Sequence, residues 1–375
     1  MAEPSCGAMW DQIQSLPDLL RSETWPMEAR FRLVLSTPEI YRIRRIVLLG
    51  SGDSHAAALA CAHAMGHLTG LSVQAVTAME GARYLPATLG PRLDDLLVVA
   101  ISNSGEAARV VEAGKRLAAR GALVIALTAS PQSSLAKAVG RVLDITIAPS
   151  RPAPGVRSYV AALLGLMLLA IRMAEVKMRI TMDSAQTLRK AIVDLAAPVE
   201  AAIQVSRASL PTIARAWSSY VSADVIGSGP ELGTAAYAAA KLIEAVGVHA
   251  AVQEGEEFHH LNYYVARRAS TPAIVFWPQG SAAESRLSEL WGYLVKLERP
   301  RLLVASGRER SDDPHILSLP PAPLELAPIL HVVPAAALAA EWGSAIGSAP
   351  FRAFAPPWDD GRGSAIVRNS QRIEG

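Results

Sequence analysis

The chain has 375 residues, of which 51% are hydrophobic and 19% are charged, a balance that excludes a disordered polar protein and is typical of a fold with buried layers. Its 36 basic and 34 acidic residues leave a formal net charge of only +2, which excludes the broad basic surface of a nucleic-acid-binding or membrane-binding protein. We therefore expect a small-molecule partner, and we expect any anionic group on it to be bound by local side chains rather than by the overall charge of the protein.

The amino terminus and the cysteines indicate the cellular setting. Residues 1–6 lack the basic region and following apolar stretch of a secretory signal, so we expect a cytoplasmic protein. The longest apolar run, residues 159–171, is shorter than the roughly 18–20 residues that cross a bilayer and is interpreted as a buried helix. Cys6 and Cys61 suggest neither a disulfide framework nor a metal pair, and both are interpreted as packing thiols.

In chain order, the first clear strand covers residues 45–50, which end in a glycine turn and lead into an alanine-rich helix from Ser54. The same order of strand, glycine turn and helix returns at residues 224–246. Later apolar runs also correspond, since 97–101 matches 273–277 and 123–127 matches 301–305. The pattern predicts a tandem duplication.

Each predicted copy alternates apolar strands with amphipathic helices, so we expect an α/β protein with two flavodoxin-like domains, each a doubly wound parallel sheet flanked by helices. Residues 171–211 have a helical pattern without strand signals and are expected to join the copies. The predicted boundaries are an N-terminal helical segment at 1–30, a first domain at 31–175, a helical linker at 176–212, a second domain at 213–345 and a C-terminal tail at 346–375 that reaches toward the active site.

A phosphate-sized turn follows the strand at 97–101. Residues 102–105, Ser-Asn-Ser-Gly, lie directly before a helix, where free backbone N–H groups and the helix dipole favour an anion. These residue types also cap ordinary helices, so the turn alone leaves both interpretations open. Two further hydroxyls, on Ser54 and Ser158, stand in other turns of the same half and favour the anion site. The turn at 50–55 breaks the Gly-x-Gly-x-x-Gly pattern and gives little support to a dinucleotide site.

These turns resemble the SIS (sugar isomerase) family, especially the isomerase half of glucosamine-6-phosphate synthase and the fructosamine-phosphate deglycases. Residues 9–17 resemble the family's opening helix, 52–54 its first glycine turn, 102–106 its serine-rich phosphate loop and 155–158 a further substrate loop. The resemblance implies tandem SIS domains and a homodimer with active sites at the subunit interface, with no nucleic acid or membrane partner. The candidate substrate-binding residues are Asp53, Ser54, Ser102, Asn103, Ser104, Gly105, Ser158, Glu257 and Arg368.

Several positions depart from the family pattern. Asp53 stands where a threonine or serine is common, and an ionised carboxylate would repel a phosphate unless it points away or binds an amine or a sugar hydroxyl. Ala107 replaces a threonine that would donate to the phosphate. The glutaminase domain of the synthases is not expected in these residues, so the chain should not make its own ammonia from glutamine.

Lys241 and Glu244 are the main candidates for acid and base chemistry. They lie three residues apart and share one face of an alanine-rich helix, where a surface ion pair is the ordinary alternative. The resemblance implies that this Lys-x-x-Glu is the catalytic helix, and an ungapped count then places Glu257 and His260 on the family's Glu-x-x-His. It implies that His260 assists ring opening, that Glu244 carries a proton between C1 and C2, and that Lys241 stabilises the oxyanion. No metal and no cofactor are expected.

The C-terminal tail lacks the lysine that reaches the site in amino-sugar synthases, and Arg368 or Asn369 falls nearby. Because an arginine stays protonated, it cannot form an imine with a ketose. The leading hypothesis is therefore a sugar-phosphate isomerase or deaminase acting on an amino-sugar or ketosamine phosphate. A fructosamine-phosphate deglycase and a non-catalytic sugar-phosphate-binding regulator are the alternatives.

Overall fold

The chain forms two five-stranded sheets in a computed structural model that describes residues 6–308, 311–348, 357–358 and 365–373. The strands of the first sheet are β1 (Arg45–Gly50), β2 (Ser72–Thr77), β3 (Leu96–Ile101), β4 (Leu123–Thr128) and β5 (Val142–Asp144). The strands of the second are β6 (Ser222–Ile226), β7 (His249–Gln253), β8 (Ala273–Pro278), β9 (Arg301–Ser306) and β10 (Ile316–Leu319).

Helices connect the strands and flank both sheets. They are α1 (Cys6–Gln14), α2 (Leu16–Phe31), α3 (Thr37–Arg42), α4 (Asp53–Thr69), α5 (Leu85–Thr88), α6 (Ala108–Ala119), α7 (Ser134–Val139), α8 (Arg157–Val176), α9 (Met182–Asp194), α10 (Ala196–Ala216), α11 (Glu231–Lys241), α12 (Gly255–His260), α13 (Glu284–Lys296), α14 (Ala327–Ala345) and α15 (Ala365–Arg368). Two short π-helices cover Glu80–Tyr84 and Leu242–Val246. Helices α8 to α10 occupy the stretch in which a helical linker was expected.

Both sheets have the same topology, and every described pairing in them is parallel. The first has the order β2-β1-β3-β4-β5, and the second, read from its other edge, has β7-β6-β8-β9-β10. This is the flavodoxin-like arrangement, in which the second strand of each copy lies outside the first. The predicted fold class and the predicted correspondence of β3 with β8 and of β4 with β9 are confirmed.

The chain divides into two compact units that interleave in sequence. The β1–β5 unit contains Leu19–Pro149, Ser158–Asp194 and Asp360–Gly375. The β6–β10 unit contains Met1–Asp18, Ser150–Arg157 and Leu195–Asp359. The predicted sequence boundaries stay a prediction, since the compact units are defined by contacts and not by continuous segments.

The core of the β1–β5 unit lies on both faces of its sheet. All six residues of β3 are buried, as expected for a central strand with helices on each side. Gly50 ends β1 where the chain turns into α4, and a Cβ there would lie 2.7 Å from the backbone of Ser54. On α8, Gly165 lets the helix approach Ile145 and Leu127, where a Cβ would meet side-chain carbons at 2.9 and 3.0 Å.

The core of the β6–β10 unit centres on α14, whose residues are almost all buried and which packs against α1, α10 and α11. On the sheet, a cluster of apolar residues from β8, β9 and α13 fills the space between strands and helix. Beneath it, Arg299 is fully buried and pairs with buried Asp224. The same guanidinium donates to the Thr271 carbonyl at 2.7 Å and to the Asn262 carbonyl at 3.2 Å.

Two helical stretches, Arg157–Val176 and Leu324–Ala345, are long and apolar enough to span a membrane by composition, but 83% of each apolar window is buried inside the protein. This is the behaviour of core helices, and the interpretation of residues 159–171 as a buried helix is confirmed. Cys61 is also buried, and burial raises the pKa of its thiol to about 12, so it packs as an inert side chain.

The Asp224–Arg299 pair gives a prediction for stability. Asp224→Ala leaves a buried guanidinium without its carboxylate, and we expect the free energy of unfolding to fall by about 3–5 kcal/mol in urea titrations. Asp94→Ala is the control, because Asp94 and its partner Arg92 are both exposed and should leave the transition unchanged. Equal stability of the two variants would contradict the prediction.

Candidate active site

The turn between β3 and α6 is held in shape by its own hydroxyls. The Ser102 Oγ accepts a hydrogen bond from the Gly105 N–H at 3.1 Å, and the Ser104 Oγ accepts one from the Glu106 N–H at 3.3 Å. Gly105 has φ +66°, and a Cβ there would collide with the Ser133 side chain, so only glycine fits. The hydroxyls therefore cap the turn locally, and each keeps its own O–H available as a donor.

Contacts with the next turn fix the orientation of this loop. The Asn103 carbonyl accepts from the Ala129 N–H and from the Thr128 hydroxyl, both at 3.1 Å. The Glu106 carboxylate accepts from the N–H and hydroxyl of Ser134 at 2.9 and 2.6 Å. Burial opposes ionisation of Glu106, but these hydrogen bonds and the charges of Arg372 and Arg368 together lower its pKa. Glu106 is thus a structural anion that ties the loop to α7.

The turn between β1 and α4 brings a second set of polar groups to the same edge of the sheet. Gly52, at φ +56°, precedes the helix, so that Asp53 and Ser54 stand in the first turn of α4. Burial lowers the pKa of His55, which stays neutral near pH 7. The histidine therefore adds no positive charge to this turn.

Four of the candidate residues surround one cavity in the β1–β5 unit. Asp53, Ser54, Asn103 and Ser158 line a space of about 80 Å³, large enough for a phosphate or a small polar group. Its remaining wall consists of Ile101, Ile145, Tyr159 and Ala162. Ser102, Ser104 and Gly105 shape the neighbouring loop rather than line this cavity. The apolar wall residues were not predicted from the sequence, because they look like ordinary core positions.

The turn that resembles a substrate loop is held by α1 within the β6–β10 unit. The Gln12 Oε1 accepts from the N–H groups of Val156 and Arg157 at 2.9 and 3.2 Å, and its Nε2 donates to the Arg151 carbonyl at 3.1 Å. The Arg157 guanidinium donates to the Ser15 hydroxyl at 2.7 Å. Gln12 is a positioning residue that the sequence reasoning missed, although it lies inside the recognised 9–17 segment.

Tyr237 joins the same turn to the candidate catalytic helix. Its hydroxyl donates to the Gly155 carbonyl at 3.1 Å, and its ring lies 5.3 Å from the Lys241 Nζ. The tyrosine is fully buried. A single side chain therefore contacts both the turn and the lysine.

Lys241 and Glu244 form a short ion pair, with Nζ 2.6 Å from Oε2. The Lys241 side chain is 1% exposed and that of Glu244 36%, so this is not the ordinary surface pair. Glu244 lies in the π-helix Leu242–Val246 that continues α11. Such widened turns redirect side chains and are frequent at functional sites. The pair thus presents an accessible carboxylate backed by a buried ammonium.

Glu257 and His260 lie on α12 with different contacts from those expected. Both are exposed, and the His260 Nε2 lies 3.1 Å from the Glu256 carboxylate, which Arg286 also binds. Asn262, two residues after this helix, stands where the sequence departs from the family pattern. Its side chain donates to the buried carboxylate of Asp224 at 2.6 Å and so anchors the loop after α12 to the Asp224–Arg299 pair.

Arg368 lies exposed on α15, in the β1–β5 unit. The residues after it dock on α6, where Arg109 donates to the Ser370 hydroxyl at 3.1 Å and to the Gln371 carbonyl. Residues 349–356, 359–364 and 374–375 of the predicted tail fall outside the described residues. Among those described, no group of three or more His, Cys, Asp or Glu side chains is placed to hold a metal ion.

Comparison with known proteins shows what the first sheet is similar to. Residues 39–172, which include the glycine turn, the serine loop and Ser158, match the SIS domain. The second sheet repeats the strand order of the first, so the fold consists of two tandem α/β domains of the same architecture.

Among curated proteins, this chain resembles glutamine–fructose-6-phosphate aminotransferase of Gloeobacter violaceus, with 27% identity over 335 residues, 87% of this chain and 52% of that protein. It thus spans about half the length of this relative. Two solved structures share its fold. The C-terminal domain of glucosamine-fructose-6-phosphate aminotransferase from Francisella tularensis has a TM-score of 0.80 and 17% identity and covers 92% of this chain and 98% of that one. Tagatose-6-phosphate ketose/aldose isomerase from Escherichia coli has a TM-score of 0.71 and 17% identity, covering 93% and 97%.

The role of Gln12 can be tested without knowing the substrate. Gln12→Leu removes the acceptor for two N–H groups, and we expect faster hydrogen exchange in residues 151–157 and a loss of about 1–3 kcal/mol of stability. Gln14→Leu on the same helix is the matched control, because Gln14 is exposed. Unchanged exchange of the 151–157 peptide in Gln12→Leu, measured by mass spectrometry, would refute the role.

Proposed function

We propose that the protein is a cytoplasmic sugar-phosphate isomerase or deaminase that acts on an amino-sugar or ketosamine phosphate by moving a proton between C1 and C2, without a glutaminase step. The observation that carries the proposal is the Lys241–Glu244 pair, a partly exposed carboxylate 2.6 Å from a buried ammonium. Burying a lysine is costly and needs a compensating role or partner. The aminotransferase and isomerase names of the similar proteins support the same class of chemistry.

The proposed mechanism assigns one role to each group. The Glu244 carboxylate removes the proton from C2 of the open-chain sugar, and the electrons of the broken C–H bond form an enediol or enamine. Lys241 stabilises the negative charge that develops on the substrate oxygen. Glu244 then returns the proton to C1, while the C2 hydroxyl or amine loses a proton and the C1 oxygen gains one, so the carboxylate is regenerated and no external reductant or oxidant is used. His260 assists the opening of the sugar ring.

The phosphate is proposed to sit at the serine loop. Asn103, Ser54 and Ser158 line the small cavity beside that loop, and the turn hydroxyls of Ser102 and Ser104 keep free donor hydrogens. The Asp53 carboxyl group lines the same cavity. A carboxylate in this position favours a substrate that also bears a protonated amine, which supports an amino-sugar or ketosamine over a plain ketose.

We also propose that the enzyme works as a homodimer with its sites at the subunit interface. Apolar side chains next to the candidate catalytic residues are exposed in the single chain: Ile243 is 49% exposed, Leu261 58% and Tyr264 75%. Exposed apolar groups around a functional surface are typical of an interface. Glu257 and Arg368, which are exposed in the chain, are proposed to complete the substrate site.

The decisive variant is Glu244→Gln. A carboxamide of the same size cannot accept the proton, and we expect turnover to fall by a factor of about 10²–10⁴ while the sugar phosphate still raises the melting temperature. Glu289→Gln, an exposed carboxylate on α13, should keep full activity. A regulator would bind a sugar phosphate yet show no turnover even in the wild type, and that result would overturn the enzymatic proposal.

The reaction type can be read by proton NMR in D₂O with hexose, hexosamine and ketosamine phosphates. Isomerisation should introduce deuterium at C1 or C2 and leave the carbon–nitrogen bond intact, whereas deamination should introduce deuterium and release ammonia from a hexosamine phosphate. A deglycase would instead release the free amine from a ketosamine phosphate. Exposed Glu257 and the neighbouring histidines of α12 are the feature that keeps this alternative open.

The phosphate site gives a separate prediction. Asn103→Asp adds a second carboxylate to the cavity, and its repulsion should raise the KM for a sugar phosphate at least about tenfold. The unphosphorylated sugar should bind both proteins alike, which is the internal control. An unchanged KM would place the phosphate elsewhere.

A further inference from the structure

The second copy of the fold lacks a helix that the first copy has. In the β1–β5 unit, α7 lies between β4 and β5 and packs beside α6. In the β6–β10 unit, β9 and β10 are joined by residues 307–315, and those of them that the structure describes contain no helix. The face of the second sheet next to α13 therefore has no counterpart of α7 to cover it.

A cavity of about 480 Å³ occupies this place, within the size range of small-molecule sites. Trp291 of α13 forms one wall, and Leu303 and Ile316 of the sheet contribute an apolar floor. Among the described lining residues, Trp277, Gln279, Arg308 and Ser311 supply the polar groups, and none is a carboxylate. The described lining is therefore amphipathic, with one guanidinium that pairs with the Glu284 carboxylate.

Two donors in the cavity wall lack acceptors. The Arg308 guanidinium lies 3.8 Å from the centre of the Trp277 ring and is held there by the Glu284 carboxylate at 2.7 Å. The Arg308 Nε and the Trp277 Nε1 are both buried without a hydrogen-bond partner among the described residues, and Trp277 is only 6% exposed. A buried donor without a partner is costly, so both N–H groups are available to an acceptor that enters the cavity.

We propose that this cavity is a second ligand site, which takes a small molecule with a flat ring and an anionic group. The phosphate or carboxylate accepts from Arg308 and Trp277, and the ring packs on Trp291 above Leu303 and Ile316. A guanidinium stacked on an indole keeps its in-plane N–H groups for an oxyanion, which favours an acceptor with two oxygens. The site is independent of the proposed catalytic reaction.

Isothermal titration calorimetry with four probes tests the proposal. AMP carries a ring and a phosphate and indole-3-acetate a ring and a carboxylate, whereas adenosine lacks the charge and inorganic phosphate lacks the ring. We expect saturable binding of AMP or indole-3-acetate, and the tighter of the two shows whether the site prefers a phosphate or a carboxylate. Adenosine and inorganic phosphate should bind at least about tenfold more weakly than that compound. Arg308→Gln should weaken the binding by a similar factor, and Trp291→Leu should reduce the preference for the ring.

Controls separate this cavity from the phosphate site of the first domain. Arg268→Gln changes an exposed arginine outside the cavity and should leave AMP binding intact, as should Asn103→Asp. Melting curves confirm that each variant is folded. Three results would each overturn the proposal: no saturable binding of either ring-bearing anion up to about 10 mM, inorganic phosphate binding as tightly as these anions, or both Arg308→Gln and Trp291→Leu binding as tightly as the wild type. The 10 mM ceiling corresponds to less than about 3 kcal/mol of binding free energy.

Discussion

Parallel strand pairing is the constraint on which the site of this protein depends. When all strands of a sheet point the same way, every strand-to-helix turn falls on one edge, and the first N–H groups of the helices collect there. The turns after β1 and β3 meet at this edge because the two strands are neighbours in the order β2-β1-β3-β4-β5. Asp53 and Ser54 thereby share a cavity with Asn103, although about 50 residues separate them in sequence.

The two copies of the fold use this edge differently. In the first copy the glycine turn opens onto a small cavity. In the second copy the equivalent turn leads into Glu231, which is 2% exposed and whose carboxylate lies 3.0 Å from the Nδ1 of fully buried His331. The second copy thus places a buried carboxylate beside a buried imidazole. The two copies share one sheet topology, whereas the small cavity lies in the first copy and the Lys241–Glu244 pair in the second.

Burial distinguishes the functional candidates from their ordinary alternatives. Lys-x-x-Glu on a helix is commonplace, but the 1% exposure of the Lys241 side chain beside a 36% exposed carboxylate is not. The serine loop differs, because Ser102 and Ser104 do serve as local caps of the turn. Their proposed role in binding a phosphate depends on their position at the sheet edge. Positioning residues are harder still to recognise from the sequence, because Gln12 and Tyr237 act by hydrogen bonding to the backbone of residues 151–157.

The sequence by itself determined the two parallel sheets, their correspondence and the polar turns, because strand and helix periodicity, glycine turns and hydroxyl clusters are local patterns. It could not reveal that Gln12 caps Val156 or that Asn262 anchors to Asp224, since hydrogen bonds between distant segments leave no periodic trace. Tertiary structure also decided that Arg286 of α13 binds Glu256, the carboxylate that contacts His260. The cavity beside α13 arises in the same way, because an empty space depends on which neighbouring helix is absent and not on any residue that lines it.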